Sequence, residues 1–119
     1  MTPDAFNAFC AGLTATTHVV QWGGADVWKV AGKVFAIGGW NTDRGPAYTF
    51  KTSVSDFHFL SEEPGYRPAP YFASRGMTWI QCVDAESLPA GELEDYLSIS
   101  HRLVAAGLSR KARAEHGLD

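Results

Sequence analysis

The densest chemistry in the chain lies in PGYRPAPYFASRGMTWIQC, from Pro64 to Cys82. Arg67 and Arg75 present planar guanidinium forks suited to a phosphate or a carboxylate. Tyr66, Tyr71, Phe72 and Trp79 supply rings able to stack on a base or another planar group. The stretch contains no acid to neutralise its arginines. Two readings follow. In one, the segment is a basic, aromatic groove at a sheet edge that binds a ligand. In the other, the rings fill the core and the arginines pair with Glu62, Glu63 or the acids of residues 84–95. The second is the commoner use of such residues, and the spacing alone does not decide.

Elsewhere the familiar constellations are missing. No GxxxxGK[ST] loop occurs, and the Gly-Gly pairs at 23–24 and 38–39 fit no dinucleotide fingerprint. His18, His58, His101 and His116 are scattered, without HExxH or CxxC spacing, so no metal site is expected. No serine has a GxSxG context. Cys10 and Cys82 are too few for a disulfide framework and sit among apolar neighbours, which predicts buried free thiols. His101, beside Ser100 on a helical pattern, reads as a half-buried polar residue rather than a base. The expectation is a protein with no catalytic residues and no cofactor.

Net charge is −3, from ten Lys and Arg against thirteen Asp and Glu. That balance is unlike a general nucleic-acid binder, whose affinity comes from neutralising phosphates. Charge nevertheless runs in blocks. Residues 66–82 hold Arg67 and Arg75 without an acid, and 84–95 hold five acids without a base. Residues 101–113 hold Arg102, Arg110, Lys111 and Arg113, again without an acid. Local positive surface is compatible with the negative total. The N-terminus lacks a basic region followed by a long apolar run, and no segment of about 18 apolar residues is present. A cytoplasmic protein that does not enter the membrane is expected.

The elements that must position these residues are legible from periodicity. Thr2 caps a first helix with Pro3 and Asp4 in its first turn, and Phe6, Phe9, Cys10 and Leu13 share one face. From Thr17 to Thr52 the pattern turns to strands. HVVQW is β-rich and is broken by Gly23-Gly24; DVWKVAG turns at Gly32 into KVFAIGGW. AYTFKT follows beyond the turn NTDRGP as a third strand, so three consecutive antiparallel strands make a meander. SVSDFHFLSEEPG reads as a short helix closed by Pro64-Gly65. Arg67-Pro68-Ala69-Pro70 is extended, because residues before proline leave the helical region. MTWIQCV is a further strand. The longest helix runs through SLPAGELEDYLSISHRLVAAGLS, with Ser87 as cap and Pro89 in the first turn. Its stripe is Leu93, Tyr96, Leu97, Ser100, Leu103, Val104 and Gly107. The tail from about residue 109 extends that helix or frays.

The expected fold is a single α+β domain over residues 1–119. It has an antiparallel sheet, a meander of three strands plus one or two more, with helices packed on one face. The segment PGYRPAPYFASRGMTWIQ, with KVFAIGGW and AYTFKTS before it and the helices in the family's order, resembles the MmcQ/YjbR-like family, the likeness running from roughly Thr2 to Ala112. The resemblance implies a CyaY-like arrangement, as in bacterial frataxin, described also as a double-wing DNA-binding architecture. Met77 stands where many members have a ring, and Trp79 supplies one two residues later, on the same face of a strand. By resemblance the chain is a non-catalytic DNA-binding protein. Lys51, Arg67 and Arg75, with Lys29 and Lys33, then meet phosphates, while Tyr71 and Trp79 stack or pack. The alternative expectation is a small anionic molecule or a peptide in a groove along Tyr66–Trp79, with Arg67 or Arg75 converging on it.

Overall fold

A computed structural model describes residues 1–118. Helix α1 (Pro3–Ala11) leads into strands β1 (Thr16–Gln21), β2 (Ala25–Val30), β3 (Lys33–Gly38) and β4 (Tyr48–Lys51). After these come α2 (Val54–Leu60), β5 (Tyr66–Pro68), β6 (Trp79–Cys82), α3 (Glu92–Ala106) and α4 (Arg110–Glu115). The six strands form one antiparallel sheet in the order β1-β2-β3-β4-β6-β5. The α+β class and its helix-covered sheet are as expected, but the meander has four strands. HVVQW belongs to a full strand that pairs with β2 from Thr16–Val30 to Gln21–Ala25.

Turn chemistry explains the connections. Ala31 and Gly32 form a two-residue loop between the paired Val30 and Lys33, with φ of 47° and 87°. Positive φ at both central residues marks the type I′ hairpin turn, whose twist matches that of the strands. The proline-bearing β5 lies at the sheet edge, where Pro68 forfeits no ladder hydrogen bond on its outer side.

Three helices contribute to the core on one face. Phe6 and Cys10 of α1, Leu60 of α2, and Leu93 and Leu97 of α3 join Trp28, Phe35, Tyr48, Phe50 and Ile80 of the sheet, and Leu118, just after α4, packs against this cluster. Phe6 meets Tyr48 with ring centroids 4.9 Å apart, and Phe50 stacks on Tyr96 at 5.7 Å. Burying each such side chain contributes about 1.5–3 kcal/mol. Ser100 is the polar stitch in this core: its hydroxyl donates to the Phe35 carbonyl (2.6 Å) and accepts from the Lys51 N–H (2.9 Å). Phe35 is the extra residue of a β-bulge, since Trp28 pairs with Ala36 but Lys29 with Val34. A carbonyl displaced by a bulge needs a partner outside the ladder.

The long helix departs from its expected start. It begins at Glu92, with Gly91 at φ 84° as N-cap, while residues 85–87 form a separate 3-10 turn. The left-handed Gly91 interrupts any helix carried from Ser87, whose hydroxyl donates to Asp84 (2.8 Å) instead of capping. The buried stripe also rotates along α3, to His101 and Ala105. His101 Nε2 bonds the Thr14 carbonyl (2.7 Å) and its ring meets Phe35 edge-on, which draws this face inward. The tail turns into α4, a new helix capped by the Ser109 hydroxyl on the Ala112 N–H.

Candidate ligand cleft on the open sheet face

Strand alternation sends Tyr48, Phe50, Ile80, Cys82 and Tyr66 toward the helices and their neighbours toward the opposite, open face. One cross-strand row spans that open face completely: Val19, Val27, Ile37, Thr49, Gln81, Arg67. It is apolar on β1–β3 and polar on β4, β6 and β5. The polar end is bonded through. Arg67 Nε donates to Gln81 Oε1 (2.8 Å), and Gln81 Nε2 donates to Thr49 Oγ1 (3.4 Å). Thr49 and Gln81 are buried, so the row fixes the guanidinium from below, and its two Nη nitrogens have no partner among the described residues.

Aromatic turns wall this row. Residues 70–77 fold over the open face, carried by a single 3-10 turn (Ala73–Arg75). Phe72 stacks on Trp79 with centroids 4.8 Å apart and rings 16° from parallel, and it meets Trp40 at 6.2 Å. Trp40 stacks on Trp22 at 6.1 Å, and its indole N–H donates to the Trp22 carbonyl (3.1 Å). The result is a cleft of about 530 Å³, lined by Trp22, Trp40, Phe72, Tyr71 and Pro70 over Arg67 and Gln81. Ligand clefts are of this size and make-up, apolar with a few convergent polar groups.

The backbone of these walls is strained. Among the described residues five non-glycine positions have positive φ, and three of them line the cleft: Trp22 (53°), Trp40 (55°) and Tyr71 (74°). At Tyr71 the Phe72 N–H bonds the Pro70 carbonyl (2.9 Å), closing the rare γ-turn of positive φ. Such conformations cost about 1–3 kcal/mol each and persist where surrounding structure over-determines them.

The residues expected from the sequence fall into three groups. Arg67 and Tyr71 line the cleft. Arg75 stands at its rim, its guanidinium 5.2 Å above the Tyr71 ring and donating to the Tyr71 hydroxyl (3.2 Å). Trp79 is 4% exposed beneath Phe72, so it packs and offers no free face for stacking. Lys51 lies apart, with Lys33 around a second, shallower hollow near Met77 and the end of α3. Lys29 alternates onto the open face beside Val34. Among the described residues neither Arg67 nor Arg75 pairs with an acid; the ion pairs there are His18–Asp26, Arg44–Asp84 and Lys111–Glu115. Sequence reasoning missed Trp22, Trp40, Gln81 and Thr49. The two tryptophans had a signal, since each abuts a diglycine, WGG at 22–24 and GGW at 38–40.

The buried thiols are poor nucleophiles. Burial pushes Cys10 up to about 12 and Cys82 up to about 11. Among the described residues no three His, Cys, Asp or Glu side chains gather as a metal site, and no helix is long and apolar enough to cross a membrane.

The family model YjbR matches residues 11–103, which takes in the whole sheet and most of α3. The chain belongs to the YjbR family. Among solved structures it is similar to the Deinococcus radiodurans protein DR2400, which carries a DUF419 domain. That match has a TM-score of 0.85 at 20% identity and covers 99% of this chain and 89% of that one. A Pseudomonas syringae protein matches with a TM-score of 0.71 at 19% identity, over 87% of this chain and 99% of its own. At these identities the likeness is one of fold. Among curated proteins no significant match is found.

Proposed function

We propose that this YjbR-family chain is a non-catalytic binding protein whose ligand site is the cleft on the open sheet face. The observation that carries this reading is Arg67: a guanidinium held by a buried glutamine, with no acid paired to it among the described residues, under aromatic walls. A preorganised cation in an apolar cleft loses little freedom when it meets a ligand. A thermal-shift screen of small organic anions tests the proposal, with the wild type compared with the double variant Trp22→Gly/Tyr71→Ala. Trp22 is half exposed and Tyr71 mostly so, and neither belongs to the buried core, so the variant keeps its core. Compounds that stabilise the wild type should lose their effect on the variant, since ligand at 100 times its Kd adds about 2.7 kcal/mol of stability. If every stabilising compound acts equally on both proteins, the cleft is not the site.

A second reading, DNA binding, draws on the charge of the same face. Register puts Lys29, Lys51 and Arg67 there, and the one acid of the strands, Asp26, on the helix side with His18. Phosphate contacts from these cations and Arg75 predict weak binding that falls steeply with salt. Fluorescence anisotropy with duplex and single-stranded DNA at about 50 mM salt decides it; no binding to either ends this reading.

A further inference from the structure

We infer that the ligand of the cleft is a planar aromatic monocarboxylate, its carboxylate gripped by the two Nη nitrogens of Arg67 and its ring system laid against the tryptophan walls. The inference rests on the reading of the cleft as a ligand site and narrows it to one chemistry.

Charge comes first. Among the described residues Arg67 is the one ionised side chain that lines the cleft, with Arg75 at the rim turned onto Tyr71, so the lining itself balances a single negative charge. A phosphate dianion is ordinarily met by several donors, such as a helix N-terminus or a second cation. Here the indole N–H of Trp40 is spent on the Trp22 carbonyl, Gln81 Nε2 already holds Thr49, and Arg75, outside the lining, is turned onto the Tyr71 ring and hydroxyl, so Arg67 is the donor best placed to meet an anion. Geometry points the same way. With Nε fixed on Gln81, the guanidinium offers its Nη pair, a fork whose parallel N–H bonds match the two oxygens of a carboxylate.

The walls specify the rest of the ligand. Trp22 and Trp40 lie within 29° of parallel, and Trp40 and Phe72 within 34°, so flat faces line the space beside Arg67. Trp22 is 48% exposed and Tyr71 64%, leaving uncovered ring surface that a planar ligand would bury. Stacked or edge-on rings gain energy beyond the area they bury. About 530 Å³ accommodates a fused bicyclic acid. Strained turns hold three of these aromatic residues in place before any ligand arrives.

The test is a matched series of probes, 2-naphthoate, 2-naphthamide and 2-naphthyl phosphate. Each is titrated into wild type and Arg67→Met by calorimetry, and the indole N–H resonances of Trp22 and Trp40 are followed by NMR. Arg67 is exposed, and methionine keeps an unbranched stem there, so the variant should fold; circular dichroism checks it. The expected result is naphthoate binding with a Kd below about 1 mM and displacement of both indole signals. The amide should bind about 10-fold to 100-fold more weakly, and Arg67→Met should reduce naphthoate to the level of the amide. Equal binding of acid and amide leaves the cleft as a ligand site and overturns the carboxylate assignment. A naphthyl phosphate at least about 10-fold tighter than naphthoate overturns it in favour of a phosphate ligand. If no probe moves the two indoles, this inference and the cleft reading fail together.

Discussion

The row Thr49–Gln81–Arg67 permits a double-mutant cycle that separates the stability of the fold from the function of the cleft. Thr49→Val keeps the shape of the side chain but leaves the buried Gln81 Nε2 without an acceptor. Gln81→Leu leaves the buried Thr49 hydroxyl without a partner, while Arg67, being exposed, recovers water. An unsatisfied buried group costs about 1–3 kcal/mol, and the 3.4 Å contact places each single variant near the low end. Replacing both polar groups by apolar ones of similar shape is close to neutral. The double variant should therefore be more stable than the sum of the singles predicts by about 1–2 kcal/mol. Urea unfolding followed by tryptophan fluorescence measures this, with the m-value checked to be unchanged. The double variant should also lose Arg67's anchor. Re-ordering a free arginine costs about 0.5–1.5 kcal/mol, so a carboxylate probe should bind about 2-fold to 10-fold more weakly at wild-type stability. Additivity of the singles within about 0.5 kcal/mol would refute the reasoning, because the two side chains would then not depend on each other.

Two further outcomes are expected. Gly38→Ala places a methyl 2.5 Å from Phe6 Cε2 in a fully packed region, which should destabilise by about 1–3 kcal/mol; adding Phe6→Leu should relieve part of it, read as a rise in urea midpoint over Gly38→Ala alone. Cys10 and Cys82 titrate far above their ordinary value of 9.0, because burial disfavours the thiolate. Raised pKa values in the folded state mean that their stabilisation is complete below about pH 9 and is lost as pH rises toward 11 and 12. The urea midpoint should fall across that window and fall less in Cys10→Ala/Cys82→Ala, with Tyr48, pushed up to about 12, retaining part of the slope. A slope identical in the double variant would show that the thiols do not contribute.

What was legible in the sequence follows from which signals are local. Phe6 and Cys10 on one helical face, the NTDRGP turn, and the proline-stiffened entry to an edge strand are short-range patterns, and each has its counterpart in the fold. The start of α3 was misplaced because Ser87 and Pro89 have the right types for a helix start, whereas the residue that matters, Gly91, acts through its backbone conformation. Within the site, Arg67 and Tyr71 were visible because they stand in one segment. Gln81, Thr49, Trp22 and Trp40 join them from β6, β4 and two turns, a meeting created by strand register. Gln81 in particular sits mid-strand among Ile80 and Cys82, where only its cross-strand neighbours reveal that it is polar for a reason.

The arrangement of strain sharpens the case for the cleft over the second hollow at Lys33 and Lys51. A tryptophan at positive φ is a poor choice for a turn, since glycine or asparagine takes that conformation at far lower cost. Gly23 and Gly24 stand directly after Trp22, so the hairpin did not lack residues suited to tight turning. What Trp22, Trp40 and Tyr71 share is an aromatic ring facing the space above Arg67. The Trp22–Trp40 stack accounts for one face of each indole, and the Arg75 contact for one face of Tyr71. It does not account for the ring surface left to solvent on Trp22 and Tyr71. At Lys33 and Lys51 none of the residues that line the hollow has positive φ, and its walls are aliphatic ends of strand and helix with Trp79 already covered by Phe72. Strain that positions these rings around a guanidinium with no acid partner among the described residues is what the ligand proposed above would explain, by meeting all of them at once.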